Sequence, residues 1–240
     1  MAQMTSRLLF DERMEDINDY LSFVELLINK RPNLIYKNDE DVDVVQDIDL
    51  DITHILKANA YIILYNLIEA TISNAIEDIH TVFASDVNLC VDTVILNLTK
   101  IAFKNIDTKT MSEIDFSNEN VSKTIFKAWL AAHKKLVDAN KNPLFSGNVD
   151  ARKIREVADK YGFSYDTDEV KTRNGSTLVS IKTARNSLAH GAESFRSKGQ
   201  NASIDEIITM KDEVFHYLNC ILQNIEKYLD DKVYVRQAAS

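Results

Sequence analysis

Along much of the chain, apolar residues recur at three- and four-residue steps, the spacing of a helix with one buried face. Between Asp11 and Lys30 the repeat runs through Met14, Ile17, Leu21, Val24 and Leu27, and Arg31-Pro32 closes it. Ile52 to Ala84 predicts one long helix. Its polar positions Asn59, Asn66, Ser73 and Glu77 keep to a narrow stripe, because steps of seven and eighteen residues return to nearly the same azimuth. The rest of its girth is apolar. Such a helix packs on more than one side, as the centre of a bundle or as part of a subunit interface. Further amphipathic helices are expected over Val87 to Lys104, over Asn118 to Ala139 with the single tryptophan Trp129, and over Asp150 to Tyr161, closed by Gly162. A helix from Leu178 to His190 stops at Gly191. Ser203 and Glu206 form a capping box that opens a last helix, to about Leu229.

The connections carry their own signals. Asp39 to Asp51 holds seven acids and no base. It lacks the central Gly and terminal Glu of a calcium loop, so Asn33 to Asp51 reads as a solvated acidic connector. Asn142-Pro143 and Ser146-Gly147 punctuate the chain. Asn174-Gly175 is a turn signal between short β-prone runs, which predicts a small β-hairpin near residues 168–180. The fold class expected is all-α, a helical bundle around a long central helix. Residues 1–50 form an N-terminal helix and acidic connector packed on the bundle. The main domain is 51–232, and a flexible tail is 233–240.

Composition supports this picture. Two prolines and five glycines in 240 residues leave few helix breakers. Cys90 and Cys220 are isolated, with no zinc-ligand spacing, and a reducing cytoplasm suits them. The N-terminal segment lacks an apolar signal core, and Asn59, Asn66, Glu69 and Glu77 interrupt the most apolar stretch, Ala58 to Ile79. A soluble, cytoplasmic protein without a membrane partner is expected. The net charge of −9 argues against sequence-independent binding along a long nucleic acid. A local basic stretch exists, since Lys123 to Lys160 carries nine bases and four acids. No Gly-rich phosphate loop, nucleophile elbow or paired-Asp nuclease motif is visible, so neither a cofactor nor a metal is expected.

One short motif suggests chemistry: Arg185-Asn186-Ser187-Leu188-Ala189-His190-Gly191. An arginine can clamp a phosphate through two parallel hydrogen bonds. A histidine can take and give a proton near neutral pH. Together they suit cleavage of a phosphodiester, with Asn186 orienting the histidine or the phosphate. Lys182, one turn before Arg185, is a candidate contact to an adjacent phosphate. On an ideal helix Arg185 and His190 lie about 140° apart. They can serve one phosphate only if the helix ends near Ala189 or a second subunit completes the site.

The motif, followed by Ser194-Phe195, resembles the signature of the HEPN superfamily, and in particular a branch of stand-alone bacterial HEPN proteins. Asn66-Leu67-Ile68-Glu69-Ala70, the run from Ser146-Gly147-Asn148-Val149-Asp150 to Ile154, and Asn224-Ile225-Glu226-Lys227-Tyr228 are similar to that branch too. The resemblance implies an all-α bundle that forms a homodimer, with two R-x4-6-H motifs facing each other across a composite cleft. It implies a metal-independent endoribonuclease acting on RNA, as a toxin or phage-defence effector, with an antitoxin or regulatory protein as a further partner. Arg185, Asn186 and His190 would be the catalytic residues. One toxin subfamily has a tyrosine two residues after the histidine; Ala192 stands there, so chemistry that needs that tyrosine is not carried over. The alternatives are an inactive HEPN module that binds RNA, nucleotide or a partner protein, and an antitoxin-like scaffold.

Overall fold

The computed structural model describes residues 4–237, apart from 107, 116, 118, 119, 140, 142, 143 and 146. Helix α1 (Thr5–Lys30) leads into a two-stranded antiparallel hairpin, β1 (Asn33–Lys37) and β2 (Asp43–Asp47). Helix α2 (Leu50–Ser85) follows, opened by the Asp49 carboxylate, which accepts the Asp51 N–H at 2.9 Å. Then come α3 (Leu96–Asn105), α4 (Thr108–Glu113), α5 (Val121–Asp138), α6 (Ala151–Tyr161), α7 (Glu169–Thr172), a 3-10 turn (Arg173–Gly175), α8 (Ser176–Ala189), α9 (Phe195–Gln200) and α10 (Ile204–Asp230).

The all-α bundle with its long central helix is the observed architecture. Helix α2 packs against α1, α5, α8, α9 and α10, which is why nearly its whole girth can be apolar. Tyr65, Ile68, Ile72, Ala75, Ile76 and Ile79 are completely buried along it. By length and composition alone α2 could cross a membrane; here those apolar faces are covered by other helices. Helix α1 lays Phe10, Ile17, Leu21 and Val24 onto the bundle. Helix α9 approaches α2 so closely that a Cβ at Gly199 would sit 1.8 Å from the His54 carbonyl oxygen.

Three expectations change. The hairpin lies at 33–47, inside the stretch read as an acidic connector, with Ile35 opposite Val45 and Tyr36 opposite Val44. Its turn is built by Asn38, whose side-chain oxygen accepts the N–H groups of Glu40 and Val42. Residues 168–180 are helical instead. Asp168 caps α7 by accepting the Val170 and Lys171 N–H groups, and Asn174 and Gly175, at φ 55° and 79°, make the turn between α7 and α8 rather than between strands. A Cβ on Gly175 would also lie 2.4 Å from that of Ala151. Finally, the segment expected as a tail from 233 is anchored: Tyr234 is buried, and Val235 bridges to Val94.

Smaller differences have local causes. The expected helix over Val87 to Lys104 forms only from Leu96. Before it, Asp86 and Thr93 bond to the backbone N–H groups of Asn88 and Cys90, an alternative to helical pairing. Asn118, Asn142-Pro143 and Ser146, and the last three residues of the tail, lie outside the described residues.

Candidate active site

Helix α8 ends where the motif requires. His190 is its C-cap residue, and its N–H bonds the Asn186 carbonyl at 3.0 Å. Gly191 takes the left-handed conformation at φ 69°. Its N–H reaches the Leu188 carbonyl, and the Ala192 N–H reaches that of Ser187. This paired pattern is a Schellman stop, which satisfies the last carbonyls and fixes the chain's exit. The His190 side chain is exposed and has no hydrogen-bond partner among the described residues.

Arg185 sits one turn earlier and is half-buried. Its guanidinium carbon lies 4.6 Å from the ring centroid of Tyr65 on α2, a cation–π contact that flattens the fork against a rigid surface. One of its N–H groups bonds the Asn186 side-chain oxygen at 3.1 Å. The other guanidinium N–H groups have no acceptor among the described residues, which leaves them free for an anion.

The loop before α6 holds this arrangement. Gly147 lies beside the guanidinium; a Cβ there would be 3.8 Å from Nη1. Asn148 accepts from the Asn186 amide at 2.9 Å. The Val149 N–H donates to the Tyr65 hydroxyl at 3.1 Å in a buried setting, and Glu69 lies one turn along α2. Burial chiefly, together with Glu69, raises the Tyr65 pKa, so the hydroxyl stays protonated. Asp150 caps α6 by accepting the Lys153 N–H at 3.0 Å, and it also pairs with Lys182. Burial acts to raise the Asp150 pKa, but the hydrogen bonds from Lys182 and Lys153 and the nearby cations hold it below the usual carboxylate range.

The motif residues lie in the last turns of α8, where Arg185 and Asn186 contact each other and the His190 side chain stands apart. Asn186 spends its side chain on Arg185 and Asn148, so it orients the guanidinium, not the histidine. Lys182, expected on a neighbouring phosphate, is engaged by Asp150 and ties α8 to α6. Asn66 is exposed on α2, next to Tyr65. Tyr65 and Asp150 were not singled out as site residues from the sequence. The only signal for Asp150 was the run Ser146 to Ile154 and its likeness to a HEPN branch, and Tyr65 directly precedes the similar run Asn66 to Ala70. The rings of His80 and His133 stack at 3.6 Å, with His80 bonded to the Tyr161 hydroxyl and His133 to Glu77.

A helical bundle whose R-x4-H motif closes a helix on a glycine stop defines a HEPN-type module. The model of the HEPN_MAE_28990-like HEPN family matches residues 6–234, nearly the whole chain, and the protein belongs to that family. No curated protein and no solved structure is detectably similar to it.

Proposed function

We propose that this HEPN module is a metal-independent endoribonuclease that works as a homodimer, in a toxin or phage-defence role. The observation that carries the reading is the state of the motif pair. Arg185 is braced by Tyr65 and Asn186 with N–H groups to spare, while His190 stands open at the helix stop. A braced guanidinium loses little freedom when it takes up a phosphate and can stabilise charge as it builds on the phosphoryl oxygens. An unengaged imidazole can accept the RNA 2′-hydroxyl proton or donate to the leaving 5′-oxygen. In a dimer the histidine of one subunit acts on a phosphate held by the arginine of the other.

The balance of the step is simple. The 2′-oxygen bonds to phosphorus, its proton passes to a base, and the 5′-oxygen leaves with a proton from an acid. The products are a 2′,3′-cyclic phosphate and a 5′-hydroxyl. Purified protein incubated with total RNA in the presence of a chelator tests this. Cleavage with those end groups, and none of DNA, is expected. Ends bearing a 3′-hydroxyl and 5′-phosphate would overturn the mechanism.

A further inference from the structure

Between α3, α5 and α6 lies a cavity of about 510 Å³, which no residue of the Arg185–His190 motif lines. That volume falls within the range of small-molecule sites, roughly 300–1,000 Å³. Its apolar lining includes Ile101, Trp129, Leu136 and Val157. Four lysines stand around it: Lys100 and Lys104 from α3, Lys153 and Lys160 from α6. Asp159 is the one carboxylate among the lining residues.

The spacing of these lysines is informative. Lys100 and Lys104 are four residues apart, and Lys153 and Lys160 seven, so each pair shares one helix face. Two helices thus turn a pair of cations toward the same space. Lys100, Lys104 and Lys160 are exposed and have no ion pair or hydrogen bond among the described residues, whereas Lys153 shares Glu156 at 3.4 Å. In a chain of net charge −9 this is a local inversion of sign. Like charges at such spacing repel, and an anion between them removes the repulsion.

We propose that this cavity is a second, small-molecule site, for an anion with an aromatic or otherwise apolar body. The body lies against Trp129, Ile101 and Leu136, and the anionic group meets the lysines. A bare phosphate satisfies the charge but leaves the apolar floor wet. A neutral apolar molecule fills the floor but leaves the cations unpaired. The site stands independently of ribonuclease activity. It has a route to the motif, because α6 lines the cavity and its cap Asp150 holds Lys182 on α8.

Trp129 is the only tryptophan in the chain, so its fluorescence reports on the cavity directly. The intact protein is titrated with anilinonaphthalene sulfonate, with its uncharged counterpart phenylnaphthylamine, with adenosine diphosphate and with inorganic phosphate. Saturable one-site quenching of Trp129 by the sulfonate is expected, with binding weaker by about tenfold or more for the neutral compound and for phosphate. A response to adenosine diphosphate would place nucleoside phosphates in the accepted class; silence there, with the sulfonate bound, would restrict the class to less polar bodies. The double variant Lys100→Glu/Lys160→Glu should weaken sulfonate binding by about tenfold or more, while His190→Ala binds as the wild type does. Rising salt should weaken the sulfonate and spare the neutral probe. Equal affinity for the two probes, undiminished binding in the folded double variant, or no saturable response would overturn the proposal.

Discussion

Tyr65 has two tasks, and they can be separated by substitution. Its ring supports Arg185, and its hydroxyl receives the Val149 N–H. Tyr65→Phe keeps the ring and strands a buried N–H, which should cost about 1–3 kcal/mol in urea unfolding. Tyr65→Leu also removes the cation–π contact and should lose a further ~0.5–2 kcal/mol; equal stabilities for the two variants would remove that contact from the account. His80 gives a pH signature. Burial, then the stacked His133, lower its pKa from 6.5 to about 2. Below pH 6.5 the unfolded chain takes up a proton that the folded core refuses, so stability falls as pH drops through that window. The slope for one such group approaches about 1.4 kcal/mol per pH unit. Urea midpoints across the window should show this slope in the wild type and its loss in His80→Phe. Neither residue's task was legible in the sequence. Tyr65 meets Val149 across 84 positions and His80 meets Tyr161 across 81, and no local pattern encodes such pairings.

Elements read well where one periodicity dominates and poorly where side chains bond their own backbone. Helices α1 and α2 follow from their apolar repeats, and α10 from its repeat and its capping box. The hairpin at 33–47 pairs Leu34-Ile35-Tyr36 with Val44-Val45-Gln46, β-prone runs too short to stand out among the acids that flank them. At 168–180 the turn signal was real and the flanks were not strands, since Asp168 nucleates a helix before it and Ala151 crowds Gly175 beside it. The close contact of α9 with α2 yields a test at this scale. Gly199→Ala forces a methyl group into the His54 carbonyl. The helices must part, at a cost of about 1–3 kcal/mol, which for a chain of this size lowers Tm by roughly 2–4 °C per kcal/mol. An unchanged Tm would mean that α9 is free to shift. Replacing Asp150 by Ala removes a helix cap and the tie to Lys182 together, and a loss of about 1–2 kcal/mol is expected from the cap alone.

The whole molecule joins a rigid helical core to a motif presented at one helix end. Helix α8 ends at Ala189 with His190 as its C-cap, one of the two conditions under which Arg185 and His190 could serve one phosphate. A partner subunit across the cleft is the other condition, and the proposed homodimer makes it testable. Mixed dimers of Arg185→Ala and His190→Ala subunits should regain activity that neither variant has alone, because one composite cleft then holds one intact arginine and one intact histidine. No recovery in verified mixed dimers would argue for a site contained in one chain. The most direct test of the central claim is cleavage of RNA in chelator by purified wild type and by His190→Ala, with circular dichroism confirming that both are folded. A loss of about 10²–10⁴-fold is expected in the variant, the usual worth of a general acid–base group. Undiminished cleavage by folded His190→Ala would contradict it.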